Sequence, residues 1–190
     1  MASEVEICNR ALQKLGATRI TSLTEDSRNG RACNACFYVL RDSELRNHPW
    51  NFAIKRVQLP ANSAAPLFGY DNSFQLPSDF LRLLPPDPKW NRNDLDWHIE
   101  GRAIYTDDAA PLNVRYIYQV TDPNSFDPLF REVLAAKMAW EMCEEITQSN
   151  TKQSSAKSDY VDMIRLAKRT NAIENVPVDA PYDLWLSVRL

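Results

Sequence analysis

Two changes in hydrophobic period constrain the fold of this chain more than any other feature. Apolar residues recur at helical spacing up to about residue 48, alternate at strand spacing from about 50 to 120, and return to helical spacing after residue 122. Neither helical part can bury its apolar stripe alone, so we expect the two to pack together. The predicted fold is α+β, a four-helix bundle formed by N- and C-terminal helix pairs with an inserted, mostly antiparallel β domain and an extended C-terminal arm. The predicted boundaries are 1–48 and 122–174 for the bundle, 49–121 for the β domain and 175–190 for the arm.

Capping signals place the ends of the first two helices. Ser3 opens a capping-box pattern, and Gly16 suits the left-handed position that ends the first helix. The second helix is predicted to begin near Thr24 and to stop by His48, since Pro49 disfavours helical backbone in the residue before it. Its predicted apolar side consists of Ala32, Cys36, Val39 and Leu40.

Two further helices are predicted nearer the C-terminus. Asp127 followed by Pro128 is typical of an N-cap and a first helical residue. A polar stretch, Thr147–Ser155, is predicted to separate this third helix from a fourth that runs to about Ala172. The third helix is expected to bury a stripe made of Leu129, Val133, Ala136, Trp140, Cys143 and Ile146.

Prolines divide the middle of the chain into short extended pieces. Glu100-Gly101-Arg102 predicts a tight turn between two strands. The tryptophans and tyrosines that concentrate here and in the arm either build a small β core or anchor protein contacts. Alternating apolar residues predict strands at Trp50–Ile54, Phe68–Leu76, Phe80–Leu84, Trp97–Ile99, Ala103–Thr106 and Leu112–Val120.

The charge and hydropathy of the chain exclude two classes of partner. A net charge of −3 is not the basic excess of a protein that grips nucleic acid. No apolar run approaches the roughly 18–20 residues needed to span a bilayer, and the start of the chain lacks the features of a signal peptide. We therefore expect a protein that is made in the cytoplasm and binds neither a membrane nor specific DNA sites.

The sequence contains no motif for phosphate binding, metalloprotease or serine-hydrolase chemistry. Cys33 and Cys36 form a CxxC pattern without a second pair of metal ligands, so they are expected to be reduced packing residues, as are Cys8 and Cys143. The two histidines are expected to be structural. We predict no catalytic residue, no metal site, no cofactor and no enzyme activity.

Glu141, Glu144 and Glu145 form an acidic cluster near the C-terminal end of the third helix, where the helix dipole disfavours negative charge. The cluster is either a solvated face or a surface that pairs with basic residues from the fourth helix or from a neighbouring chain. The basic residues of the fourth helix are Lys157, Arg165, Lys168 and Arg169. We therefore take the three glutamates as candidate interface residues.

The segment 175–190 is apolar, but its prolines at 177 and 181 prevent a continuous helix. A disordered terminus is normally polar, so we expect this segment to be an extended arm that binds a surface. That surface is either the bundle of the same chain or a different chain. The candidate contact residues of the arm are Tyr182, Leu184, Trp185, Leu186, Val188 and Leu190.

Three stretches of the sequence resemble a known family. The first stretch is CNRALQKLG at 8–16 together with ITSL at 20–23. The second is LRNHPWNFA at 45–53, and the third is LPSDFLR at 76–82. These stretches look like the corresponding parts of tail tubular protein A, the family of head-to-tail adaptor (connector) proteins of short-tailed bacteriophages. The resemblance extends over most of the chain, and its motifs are structural signatures without a catalytic fingerprint.

The resemblance implies a structural virion protein. Members of this family form a dodecameric ring that binds the portal protein on one side and the tail nozzle, a tail tubular protein B-like component, on the other. DNA passes through the lumen of the ring during ejection without specific binding. A mildly acidic chain suits this role, because a duct that bound DNA tightly would retard its passage.

Two other functions remain as alternatives. A polysaccharide or cell-wall hydrolase would use carboxylates such as Glu141, Glu144, Glu145 or Asp107 and would need them to converge on a concave pocket. A protein-binding module that acts as a monomer would need neither a ring nor a pocket. The mass of the protein in solution separates the ring from the monomer.

Overall fold

The computed structural model describes residues 2–85 and 96–174, and this part of the chain has an α+β fold with four α-helices and two small antiparallel sheets. The helices are α1 (Glu4–Leu15), α2 (Arg28–Asn47), α3 (Pro128–Thr147) and α4 (Asn150–Ile173). The strands are β1 (Ile54–Leu59), β2 (Asn72–Gln75), β3 (Phe80–Leu84), β4 (Trp97–Glu100), β5 (Ala103–Thr106) and β6 (Leu112–Tyr118). Short 3-10 turns occupy Asn51–Ala53 and Pro123–Ser125.

One sheet lies between the helices and the other sheet. This sheet A has the strand order β1-β6-β3, and sheet B has the order β2-β5-β4. Along β6, Val114 and Tyr116 belong to the core shared with sheet B, whereas Ile117 belongs to the core formed with the helices. Because alternate residues of a strand face opposite sides, sheet A is covered on both faces near the helices.

Helix α3 occupies the centre of the helical part and contacts α1, α2 and α4. It is buried almost all the way round, and its alanines allow the neighbouring helices to approach closely. The N- and C-terminal helix pairs therefore touch. The buried residues of α3 are Phe130, Val133, Leu134, Ala135, Ala136, Met138, Ala139, Met142 and Cys143.

An aromatic cluster joins the start of the β region to the start of α3. The Phe130 ring lies 5.2 Å from the Trp50 ring, 5.1 Å from the Phe52 ring and 5.2 Å from the Phe126 ring, measured between centroids. The Trp50 indole N–H donates to the Glu44 carbonyl at 2.9 Å, so its polar atom is satisfied although the residue is buried.

Several capping predictions are confirmed. The Ser3 hydroxyl accepts from the Glu6 amide at 3.1 Å, and Gly16 ends α1 in the left-handed conformation with φ of 71°. The Asp127 carboxylate accepts from the Leu129 amide at 2.7 Å at the start of α3. The predicted tight turn also forms, with Gly101 at φ of 58° between β4 and β5.

The prediction for the start of α2 was wrong. The helix begins at Arg28 and is capped by Ser27, whose hydroxyl accepts from the Gly30 amide at 3.0 Å. The segment around Thr24 forms a turn because the Glu25 carboxylate accepts from the backbone N–H and the hydroxyl of Thr21. The acid that was expected inside the first helical turn therefore stabilises the loop before it.

The predicted apolar side of α2 was wrong at Val39, which is 68% exposed. Ala32 is buried, and Cys36 and Leu40 are half-buried against the helical core. The stripe that is buried includes two charged residues, so the spacing of apolar side chains does not predict it. It consists of Ala32, Cys33, Phe37, Arg41, Glu44 and Leu45.

Three predicted strands differ from the observed ones. The aromatic alternation at Trp50–Ile54 reflects packing against α3, and the strand starts at Ile54 after a 3-10 turn. The predicted strand Phe68–Leu76 is confined to Asn72–Gln75. The strand predicted to reach Val120 ends at Tyr118, and Val120 packs in the helical core.

The polar stretch Thr147–Ser155 is mostly helix, contrary to the prediction. Gln148 adopts the left-handed conformation with φ of 50°, Ser149 caps the next helix, and α4 begins at Asn150. The first turn of α4 is polar because it is exposed, and Ala156 is its first fully buried residue. The break between α3 and α4 is confined to Gln148 and Ser149, and the polarity of the remaining residues reflects their contact with solvent.

We predict that Phe130→Ala lowers the free energy of unfolding by about 3–5 kcal/mol, because it removes the ring at the centre of the aromatic cluster. Val39→Ala is the control, since Val39 is 68% exposed and its loss is expected to change the free energy by less than about 0.5 kcal/mol. Urea denaturation followed by circular dichroism measures both. Equal effects in the two variants would contradict the proposed importance of the cluster.

Candidate protein interface

Two of the stretches that carry the family resemblance meet where α2 joins sheet A. The Arg46 guanidinium, near the end of α2, donates to the Leu81 carbonyl on β3. The Arg82 guanidinium on β3 donates in return to the Asn47 carbonyl at 3.3 Å. These reciprocal contacts attach the end of the helix to the strand.

The end of α4 is attached to the same junction by amide hydrogen bonds. The Asn51 backbone N–H donates to the Asn171 side-chain oxygen at 2.9 Å, and the Asn51 side chain donates to the Asn171 carbonyl at 3.0 Å. The Asn171 side chain also contacts His48 Nε2 at 3.2 Å. Burial, together with the positive charges of Lys168 and Arg82, lowers the pKa of His48 to about 4. His48 is therefore neutral at physiological pH and serves as a structural residue.

Asp79, in the third stretch, ties three segments together. Its carboxylate accepts from the Lys55 ammonium and from the Tyr116 hydroxyl, each at 2.9 Å, and its carbonyl accepts from the Gln119 amide at 2.7 Å. Burial acts to raise the pKa of Asp79, but the contacts with Lys55 and Tyr116 outweigh it and hold the pKa below its usual value. The stretch therefore serves to hold β1, β3 and β6 in register.

The acidic cluster predicted on α3 lies on an exposed helix face. Glu141 pairs with Lys137 of the same helix at 2.7 Å. Glu144 and Glu145 are exposed, and the Glu145 carbonyl accepts from the Arg28 guanidinium. The structure brings the three glutamates to one end of α3, but the ion pair of Glu141 is made within α3 and not with α4.

Aromatic and cationic side chains connect α3 to α4 beside this cluster. Trp140 stacks on Tyr160 with ring centroids 5.7 Å apart, and the ammonium groups of Lys137 and Lys157 lie 4.1 Å and 5.5 Å from the Trp140 ring centroid. The Tyr160 hydroxyl donates to the buried Glu44 carboxylate at 2.9 Å. Burial is the main cause that raises the pKa of Tyr160 above its usual value, and the charge of Glu44 and the hydrogen bond to it raise the pKa further.

The thiols lie in the helical core, although Cys33 and not Cys36 faces inward. Cys8, Cys33 and Cys143 are buried, and Cys36 is half-buried. The hydrogen bond to Cys33, followed by burial, raises the pKa of Cys8, and burial beside Glu145 and Glu141 raises the pKa of Cys36. These two thiols are therefore poor nucleophiles. Among the described residues, no group of three metal-ligating side chains gathers in one place.

Two sets of exposed apolar side chains among the described residues were not predicted from the sequence. Leu67 and Phe68 are 98% and 89% exposed at the tip of the loop between β1 and β2. Leu166 and Ile173 are 49% and 73% exposed on α4. The signal that was available for the loop is the Leu-Phe pair flanked by Pro66 and Gly69, a combination that resists both strand and helix.

The candidate contact residues of the arm, Tyr182 to Leu190, lie outside the described residues. The carboxylates considered for hydrolysis do not converge, because Asp107 follows β5 in sheet B whereas the glutamates lie on α3, on the other side of sheet A. A cleft of about 620 Å³ beside β1 and β6 contains one carboxylate, Asp108, among its lining residues. In the described part of the chain, no helix is long and apolar enough to cross a membrane.

The sequence matches no protein-family model, and no curated protein is significantly similar to it.

We predict that Asp79→Asn lowers the free energy of unfolding by about 1–2 kcal/mol at pH 7, because it removes the charged acceptor of Lys55 and Tyr116. Since the folded pKa of Asp79 is lowered, this contribution is present above the ordinary carboxyl pKa and is lost as the pH falls through the folded value. The difference between wild type and variant should therefore shrink below about pH 4.

Denaturant midpoints between pH 3 and 7 measure the difference. Asp26→Asn is the control, since the Asp26 side chain is 94% exposed and should show no comparable pH dependence. A difference for Asp79→Asn that stays constant down to pH 3 would contradict the assigned role of the carboxylate.

Proposed function

We propose that this chain is a structural subunit of a head-to-tail adaptor ring in a short-tailed bacteriophage, where it joins the portal to the tail nozzle and forms part of the DNA ejection channel. In this proposal the four helices act as one bundle, residues 1–48 and 122–174, and residues 49–121 form an inserted β domain. The arm at 175–190 extends from the bundle to another chain.

The observation that carries the proposal is the placement of the stretches that resemble tail tubular protein A. Arg46, Asn51, Asp79 and Arg82 come from those stretches, and all of them attach helices or strands to one another at the junction around sheet A. Residues with this role specify how a β domain is mounted on helices. The residues that carry the sequence resemblance are therefore ones that hold this fold together.

The exposed surface supports a role in binding protein chains. Monomeric proteins usually expose large apolar side chains singly, and clustered ones mark contact surfaces. Here two neighbouring apolar residues are almost fully exposed on one loop, and the acidic end of α3 presents three glutamates to solvent. A subunit that contacts identical neighbours, a portal and a nozzle requires several such surfaces.

The hydrolase alternative has less support. Glu141 is neutralised by Lys137 on an exposed helix face, and Asp107 accepts a hydrogen bond from the Asp71 amide at the base of a loop. A glycosidase requires two carboxylates that flank one bond of the substrate. No such pair forms between Glu141 and Asp107, which lie on opposite sides of sheet A.

We predict that deleting residues 176–190 leaves a folded helical protein that does not form rings or bind the portal. The reason is that the four described helices share a large core of their own residues, whereas the apolar arm gains free energy only when it reaches another surface. Circular dichroism reports the fold, and light scattering with negative-stain images of the protein alone and with portal reports assembly. Intact rings that still bind the portal would contradict the role of the arm.

We also predict that replacing Glu141, Glu144 and Glu145 together with glutamine weakens assembly. The cost to folding should stay below about 1 kcal/mol, since the one ion pair lost within the chain, with Lys137, is partly exposed. Sedimentation measures assembly and thermal denaturation measures stability. Loss of a reproducible glycosidase activity in this variant would favour the hydrolase instead.

A further inference from the structure

The loop between β1 and β2 is firmly attached at its base and apolar at its tip. At its start, the Asn62 amide donates to the Ser73 carbonyl at 2.8 Å, and the Asn62 side chain donates to the Ser73 hydroxyl at 3.0 Å. At its end, the Tyr70 hydroxyl contacts His98 Nδ1, and the Asp71 amide donates to the Asp107 carboxylate at 2.9 Å. The loop therefore holds its tip out in a defined position.

The apolar side chains at the tip of the loop are not stabilised by burial within the described part of their own chain. Leu67 and Phe68 are 98% and 89% exposed, and neither belongs to either hydrophobic core. Burying two such side chains against another surface is worth several kcal/mol in transfer free energy. A pair of large apolar residues that is presented on a braced loop is typical of a protein contact.

Among the described residues, the surroundings of this loop are acidic. Exposed carboxylates lie at its base and along the neighbouring strands of sheet B, and three of them, Asp96, Asp107 and Glu100, act electrostatically on Tyr70. The nearest arginines of β1 and β6, Arg56 and Arg115, are on the face of sheet A that points away from sheet B, because Val57 and Val114 occupy the other face. The exposed carboxylates are Asp71, Asp96, Glu100, Asp107 and Asp108.

The C-terminal half of α4 has the opposite character. Leu166, Arg169 and Ile173 follow one another at spacings of three and four residues and so lie on one face of the helix. Arg165 and Lys168 flank this face. Asp162 pairs weakly with Arg165 at 3.5 Å, and the Glu174 carboxylate, at the end of the helix, accepts from the Asn51 side chain at 2.9 Å. The result is an exposed apolar patch with a basic rim.

We propose that the Leu67–Phe68 loop of one subunit binds the Leu166–Ile173 face of α4 on a second copy of this chain. The apolar side chains meet, and the carboxylates around the loop face Arg165, Lys168 and Arg169 of the neighbour. This contact rests on the proposed ring and identifies the two surfaces that close it.

The positions of the two surfaces suit a head-to-tail contact. The loop follows the far end of β1, whereas α4 ends at the near end, where Asn171 bonds to Asn51. Two different patches on one subunit make a heterologous contact, which generates rings when the rotation between subunits closes. A contact between identical patches would end at a dimer.

Two variants test the contact from its two sides. The loop variant is Leu67→Ser with Phe68→Ser, and the helix variant is Arg165→Glu with Arg169→Glu. Both change exposed side chains, so circular dichroism should show wild-type folding. Each variant alone should raise the concentration needed for assembly at least about tenfold, a factor that corresponds to 1.4 kcal/mol per contact. Light scattering, with portal added where the wild type needs it, measures this concentration.

Mixing the two variants gives the sharpest result. The intact loop of the helix variant can bind the intact α4 of the loop variant, and no second contact of this kind can form. We therefore expect a heterodimer of two 21.8 kDa chains in the mixture at a protein concentration at which each variant alone is monomeric. A mixture that remains monomeric would overturn the pairing of these two surfaces.

Controls separate this contact from general surface effects. Val39→Ser removes another exposed apolar side chain, and Arg19→Glu with Arg31→Glu makes the same change in charge elsewhere. Both controls should assemble as the wild type does. Rings formed by the loop variant at the wild-type concentration would refute this contact alone. A wild-type chain that stays monomeric both alone and with portal would refute the proposed ring, and this contact with it.

Discussion

The packing of Trp50, Phe52 and Phe126 around Phe130 is the interaction on which the rest of the structure depends. It lies where the chain leaves the helices to form the sheets and where it returns to form α3. Because Phe130 is in the first turn of the most buried helix, the cluster sets the position of α3 relative to sheet A. The other helices then pack against α3.

Polar contacts around this apolar centre determine the orientation of its parts. Arg46 and Arg82 exchange hydrogen bonds between α2 and β3, and Asn51 and Asn171 connect the start of the β region to α4. Hydrophobic burial is non-directional, whereas these bonds have definite geometry. Together they hold sheet A on the helices in one arrangement, as the proposed ring would require of every copy.

The proposed contacts between chains use surfaces that the fold leaves unused. The braced loop after β1 and the outer face of α4 carry exposed apolar residues, and their surrounding charges are of opposite sign. The inner face of α4, by contrast, is committed to its own chain through Tyr160 and Asn171. In the described part of the chain, α4 therefore has one face committed to its own core and one face exposed, as the proposed contact requires.

The sequence by itself determined the order of helices and strands, the caps at Ser3, Gly16 and Asp127, and the turn at Gly101. These features depend on local backbone preferences, which a few neighbouring residues dictate. It also identified the glutamate cluster on α3 as a surface feature, although the partner of Glu141 on its own helix was not foreseen.

Only the tertiary structure decided which residues are buried on α2, where β2 begins, and that Leu67 and Phe68 are exposed. Arg41 and Glu44 lie inside because Asp42 and Tyr160 supply their polar partners, which are one residue and more than a hundred residues away. Leu67 and Phe68 stay outside because neither core extends to their loop. Burial depends on neighbours that are distant in sequence, so hydropathy alone does not predict it.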